Sequence, residues 1–201
     1  MNGFLRIAAY IFHPLLIPIL GVFFYYYITP RYINPEVKQI KLVAVLIITV
    51  LIPLISFFLL RNIGVIKSIS LEDVNERKIP LMLQSLLLFL LLKMVFDPYN
   101  SPELYYFFLS VLYSTIAAFV LVLFKMKASL HMMAISGLTA YIILLSVHFS
   151  INLLIAIGLF FIINGWIASS RLHTRSHTQI ELIIGFFLGV IPQFILLSYW
   201  L

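Results

Sequence analysis

"ASSRLHTRSHTQIELIIG", residues 168–185, gathers two histidines, two arginines and a carboxylate between two hydrophobic runs. The flanking runs, about 150–168 and 180–201, approach the ~20 apolar residues a helix needs to cross a bilayer core. The stretch therefore reads as the polar joint of a helical hairpin, set at a membrane edge. That reading turns the whole chain into a membrane protein, and the rest of the sequence agrees with it.

The chain has 201 residues, 63% of them hydrophobic and 10% charged, with a mean hydropathy of +1.13. Soluble globular domains do not have this balance; polytopic membrane proteins do. No polar tract is long enough to fold separately, so residues 1–201 read as one integral-membrane domain. Cysteine is absent, which excludes disulfides and thiolate chemistry. The net charge of +6 does not point to nucleic acid, because the cations sit in short joints between apolar runs. In a membrane protein such charge reflects topology or anionic headgroups.

Seven segments are candidates to span: about 4–27, 38–60, 80–96, 103–124, 130–148, 150–168 and 180–201. The expected class is all-α, a polytopic transmembrane helix bundle of six to seven spans. The first segment reads as a retained span, since a signal peptide has a shorter apolar region and a small-residue cleavage site. His13 and Pro14 lie inside it; the proline should kink the helix and the histidine should face the bundle interior. The third segment is short: the 16 residues of "LMLQSLLLFLLLKMVF" cover only about 24 Å. His148 falls at the opposite surface from the 168–185 joint and reads as structural.

Even numbers of spans separate the polar stretches 61–80, 125–131 and 170–178. All three should face one membrane surface, together with the N-terminus. Convergent loops at the mouth of a helix bundle are where a site is expected. Lys and Arg are more numerous on that side, but setting the candidate site cations aside leaves the two sides nearly even, so orientation stays open.

Within the opening stretch, Ser170-Arg171 is followed by five residues, His177, three more, and Glu181. Upstream, "KASLHMMAISG" carries Ser129 and His131, and "NERKIP" carries Arg77, Lys78 and Pro80. Taken from the N-terminus, with the 170–181 stretch third, the three resemble the signatures of the type 2 phosphatidic acid phosphatase (PAP2) superfamily, over about residues 60–190. The third is the specific one. Leu130 stands where the second signature has Gly, and Glu181 where the third has Asp. Arg77 is not followed by Pro, and Lys67 lies ten residues before it, so the first-signature lysine is unassigned.

The resemblance implies an integral-membrane, metal-independent lipid phosphate phosphatase with a PAP2-like core, needing no cofactor. It assigns nucleophilic attack to His177 and proton transfer to His131, with Glu181 as partner to His177. Arg171, Arg77, Lys78, Ser129 and Ser170 become phosphate-binding candidates. The implied substrate is a membrane lipid phosphate, and the expected location is the bacterial cytoplasmic (inner) membrane. A non-catalytic relative that binds lipid phosphate, transports or acts as a scaffold is the alternative.

The residue chemistry fits on its own terms. Fixed cations neutralise a phosphate ester and stabilise the equatorial oxygens of an in-line transition state. Arginine binds two phosphate oxygens at once through its planar fork. A neutral imidazole can attack phosphorus, and a carboxylate on its other nitrogen fixes the tautomer. His177 and Glu181, four apart at the start of a helical run, share a face.

Plainer readings stand beside these. Thr178-Gln179-Ile180-Glu181 fits a capping box. Arg171 could complement a helix C-terminus. His173 and Arg175 occupy no signature position; they could contact a headgroup but read as facing water. Lys125 or Lys127 could replace the missing first-signature lysine, but both read as loop anchors. Glu72, Asp73 and Glu76 form one acidic cluster, best read as pairing with Arg77 or Lys78. The sequence contains no HExxH and no spaced Cys/His set, so no metal site is expected.

Overall fold

The computed structural model describes residues 2–67 and 73–200, and every regular element among them is helical. The order is α1 (Asn2–Ile11), α2 (Ile17–Ile28), α3 (Pro35–Leu46), α4 (Ile52–Asn62), α5 (Lys78–Met94), α6 (Pro102–Leu123), α7 (Leu130–His148), α8 (Leu154–His173) and α9 (Gln179–Ile195). A π-helical turn at Ile47–Leu51 joins α3 to α4 without a break. Pro53 follows that turn and cannot donate a backbone hydrogen bond, a common cause of local rewinding.

Five helices are long and apolar enough to cross a membrane: Pro35–Asn62, Pro102–Leu123, Leu130–His148, Leu154–His173 and Gln179–Tyr199. The chain is thus an α-helical bundle of the kind integral membrane proteins form. Two of the seven expected spans fall short. The first is divided into α1 and α2 at His13-Pro14, and α2 alone has 12 residues, about 18 Å of helix. The third, α5, has 17 residues, about 26 Å.

Exposure runs opposite to a soluble fold. Ile155 is 83% exposed, Leu154 72% and Ile162 69%, which suits a hydrocarbon solvent. The buried centre is α7, packed between α8 and α9 and against α2. Tyr25, Phe107, Phe108, Leu138, Tyr141 and Leu145 are fully buried there. Phe107 stacks on Tyr141 at 4.3 Å between ring centroids.

Close helix approach requires small residues where backbones meet. A Cβ added at Gly189 would lie 2.1 Å from the Met133 carbonyl oxygen, and one at Gly185 2.5 Å from that of Ser129. These two glycines, four apart, press α9 onto α7. Side-chain hydroxyls and an amide tie α7 and α9 to each other and to α6 and α8. Pro192 lacks an N–H, which leaves the Leu188 carbonyl without its helical donor; Ser114 of α6 donates to that carbonyl at 2.7 Å. Ser136 donates to the Phe186 carbonyl at 3.0 Å, and Asn164 to Thr139 Oγ1 at 2.7 Å.

At the end of the bundle away from the 168–185 joint, Glu103 is completely buried. Its carboxylate accepts from Arg31 at 3.0 Å, His148 Nε2 at 3.1 Å and Tyr25 Oη at 3.1 Å. Trp200 packs on His148 with ring centroids 5.1 Å apart. His148 thus belongs to a polar staple that ties α2, α6 and α7 together.

Candidate functional site

The three polar joints meet, and backbone groups make the junctions. Arg77, at the end of a short 3₁₀ turn before α5, is 4% exposed and donates from its guanidinium to the Ala128 carbonyl at 3.0 Å. The Ser129 N–H donates to the Glu181 carbonyl at 3.0 Å. Lys127 Nζ donates to the Ser176 carbonyl at 3.1 Å. The 73–80, 125–131 and 170–181 segments therefore form one surface.

Helix termini shape that surface. Helix α8 ends in a Schellman turn: Ser176 N–H donates to the Arg171 carbonyl at 3.1 Å, Arg175 N–H to that of Leu172 at 3.0 Å, and Arg175 sits at φ +54°. Helix α6 ends the same way, with Lys125 at φ +59°. Helix α9 begins with a full capping box: Thr178 Oγ1 accepts from Glu181 N–H at 3.3 Å, and Glu181 Oε2 accepts from Thr178 N–H at 3.3 Å.

The same Glu181 oxygen lies 2.7 Å from His177 Nδ1. Glu181 is therefore both the cap residue and the imidazole's partner. Burial pulls the His177 imidazole down to about 4, the charges of Arg77 and Lys127 act in the same direction, and the Glu181 hydrogen bond opposes them. At neutral pH the ring is uncharged, so the contact is a donation from Nδ1–H to a carboxylate. Nε2 then carries the lone pair. It makes no hydrogen bond among the described residues, which is the arrangement a nitrogen nucleophile requires. Burial also lowers the Arg77 guanidinium, with Glu181 opposing; an arginine stays charged through such a shift.

A cleft of about 290 Å³ opens beside the dyad, lined by Lys127, Leu172, Arg175, Ser176, His177, Thr178 and Glu181. Two of its cations, Lys127 and Arg175, are ones for which the sequence favours the plainer reading, a loop anchor and a solvent-facing residue, over a place in the site. Arg175 is exposed at the rim of the cleft, on the left-handed turn that ends α8, and a polar loop run gives no periodic signal of that placement. Lys127's place two residues before Ser129 was the available hint.

The other expected binding residues stand back from the cleft. Arg77 braces the 125–131 joint. Arg171 is half-buried and donates to Thr174 Oγ1 at 3.1 Å and Ser176 Oγ at 2.9 Å, while its Nε is buried with no partner. Ser129 is fully buried as the N-cap of α7, its Oγ accepting from Met132 N–H at 3.4 Å. Ser170 is fully buried in α8 with its hydroxyl unpartnered. Lys78 is half-buried at the first position of α5. His131, in the first turn of α7, lies near enough to Arg171 to feel its charge, and its Nε2 is 3.1 Å from the Ala9 carbonyl oxygen.

No three His, Asp or Glu side chains converge among the described residues. Asp73 Oδ1 accepts from Asn75 N–H at 2.9 Å instead of facing Arg77 or Lys78; Glu72 lies outside the described residues. No family model, curated protein or solved structure matches the chain.

Proposed function

We propose that this chain is a membrane-embedded lipid phosphate phosphatase of the PAP2 type, resident in a bacterial cytoplasmic membrane. The observation that carries the reading is the His177–Glu181 dyad: a 2.7 Å bond that fixes Nδ1 as the protonated nitrogen, in a cleft walled by Lys127 and Arg175. His177 Nε2 attacks the phosphorus of a lipid phosphoester. The P–O bond to the lipid breaks as the P–N bond forms, and the leaving alkoxide takes a proton from protonated His131. Water, giving its proton to the now neutral His131, then cleaves the P–N bond and releases phosphate. Cations around the cleft balance the charge of the equatorial oxygens. Exposed apolar helices beneath the cleft let the lipid tail remain in the bilayer.

The test is phosphate release from a panel of lipid phosphates in detergent, with and without EDTA. EDTA-resistant turnover and an acid-labile phosphoenzyme are expected from the wild type, and neither from His177→Ala with an unchanged melting temperature. Undiminished turnover by His177→Ala sinks the assignment. A specific observation favours the second reading, a non-catalytic lipid phosphate binder: Arg171 and Arg77 are bonded to the protein's own joints. Saturable binding of a lipid phosphate without turnover would establish it.

A further inference from the structure

The break in the first helix does chemistry-related work of its own. Pro14 has no N–H, and its ring displaces the carbonyl four residues back. The residue before a proline, here His13, is also pushed out of helical conformation. The last regular rung is Phe12 N–H to the Ala8 carbonyl, 3.0 Å. The next, His13 N–H to the Ala9 carbonyl, is absent among the described residues. That carbonyl instead meets His131 Nε2 at 3.1 Å, across 122 positions of sequence. A carbonyl oxygen only accepts, so Nε2 carries the hydrogen.

We infer that the Ala9 carbonyl, released by Pro14, is the orienting partner of His131, and that His131 exchanges protons with substrate and water through Nδ1 alone. This rests on the phosphatase reading above. Both the neutral and the protonated ring keep Nε2–H, so the Ala9 bond survives the whole cycle. The ring holds one orientation while Nδ1 gives a proton to the leaving oxygen and later takes one from water. An acceptor on one imidazole nitrogen serves the other in this way wherever a histidine shuttles protons.

The neighbouring geometry is consistent. His13 stands edge-on to His131 with ring centroids 5.5 Å apart. Its own Nδ1 accepts from Leu15 N–H at 3.3 Å, which pins it to the same break. The charged and titratable groups acting on His131 are Arg171 from α8, His13 from the α1–α2 turn and His177 from the α8–α9 joint. Pro14 and Ala9 are positioning residues: neither touches the reacting atoms.

The test is Pro14→Ala in the full-length protein. It lets His13 N–H reclaim the Ala9 carbonyl and strands His131. Turnover should fall about 10-fold or more, a part of what a positioned acid–base group supplies, with KM held within about twofold and a displaced pH–rate limb. A Pro14→Ala protein with wild-type turnover and pH profile overturns the positioning role. Independently, ¹⁵N-histidine NMR of the wild type, with His131 assigned through His131→Asn, should show the Nε2–H tautomer. An Nδ1–H tautomer overturns the inference whatever Pro14→Ala does. Wild-type protein without turnover overturns the phosphatase reading itself and is thereby told apart from both.

Discussion

Glu181 serves two masters, and one pair of substitutions separates them. Glu181→Gln keeps an amide oxygen where Oε2 accepts from Thr178 N–H, so the capping box persists. What it removes is the negative charge 2.7 Å from His177 Nδ1. A hydrogen bond to a charged group contributes about 1.5–3 kcal/mol against about 1 for a neutral one, so roughly 0.5–2 kcal/mol of orientation is lost. The phosphorylated ring also carries positive charge. A carboxylate about 4 Å from that charge is worth at most about 4 kcal/mol at the effective dielectric of a protein surface. Turnover should therefore fall between about 2-fold and about 1,000-fold, at 1.4 kcal/mol per decade. The melting temperature in detergent should hardly move. Thr178→Ala has the opposite signature. It removes the acceptor for Glu181 N–H at a cost of about 1 kcal/mol in stability and leaves the dyad in place, so turnover should stay within about threefold of wild type. Phosphate release and thermal melts on the same preparations give both readouts. If Glu181→Gln turns over normally, or if Thr178→Ala loses as much rate as Glu181→Gln, the carboxylate is a cap and the catalytic role fails.

Other consequences follow from the same contacts. The His177 pKa is lowered from its ordinary 6.5 to about 4, so the unfolded chain binds the proton first; the stability of the neutral site is intact above about 6.5 and is lost as pH falls through about 4. Turnover should decline over that same lower range, and a plateau extending below pH 3 would contradict a neutral nucleophile. Ser114→Ala leaves the Leu188 carbonyl, already deprived of a donor by Pro192, without a partner; thermal melts should report a loss of about 1–3 kcal/mol. Glu103→Ala leaves Arg31, His148 and Tyr25 facing an empty position. Stability should fall by about 3 kcal/mol or more, measured by denaturation in detergent, while KM for a lipid phosphate stays unchanged because the staple lies at the far end of the bundle.

The sequence made some features legible and hid others for definite reasons. Helices α6 to α9 were readable because long charge-free runs have one solution in a bilayer. The His177–Glu181 contact was readable because residues four apart on a helix must share a face. Pro14 announced a break but not its size: a kink and a split into α1 and α2 have the same local signature. The bond from His131 to Ala9 was beyond reach, since no local pattern encodes a partner 122 positions away. Arg175 is exposed, as its polarity suggests; that it also rims the cleft depends on the left-handed turn, φ +54°, which no local pattern announces. The Gly185–Gly189 pair was a signal available in the sequence that went unread; its small-xxx-small spacing predicts the α7–α9 contact.

The cations around the cleft differ in what a ligand must displace, and this orders their roles. Arg77 is buried and braces the Ala128 carbonyl; pulling it outward would strand that carbonyl and open the 125–131 joint. Arg171 and Lys127 donate to neutral oxygens of the 174–176 turn. A phosphate oxygen is a stronger acceptor than a hydroxyl or a peptide carbonyl, because it sets a full negative charge against the cation where the present contacts offer only a dipole. Exchanging those contacts for phosphate is therefore downhill, and the buried, unpartnered Nε of Arg171 adds a donor already stripped of water. The expected division has Lys127 and Arg175 gripping the phosphate in the cleft, Arg171 joining them once it exchanges its bonds to Thr174 and Ser176, and Arg77 holding the floor. Substituting Lys127 or Arg171 by Ala should then raise KM at unchanged stability, and Arg77→Ala should lower stability first.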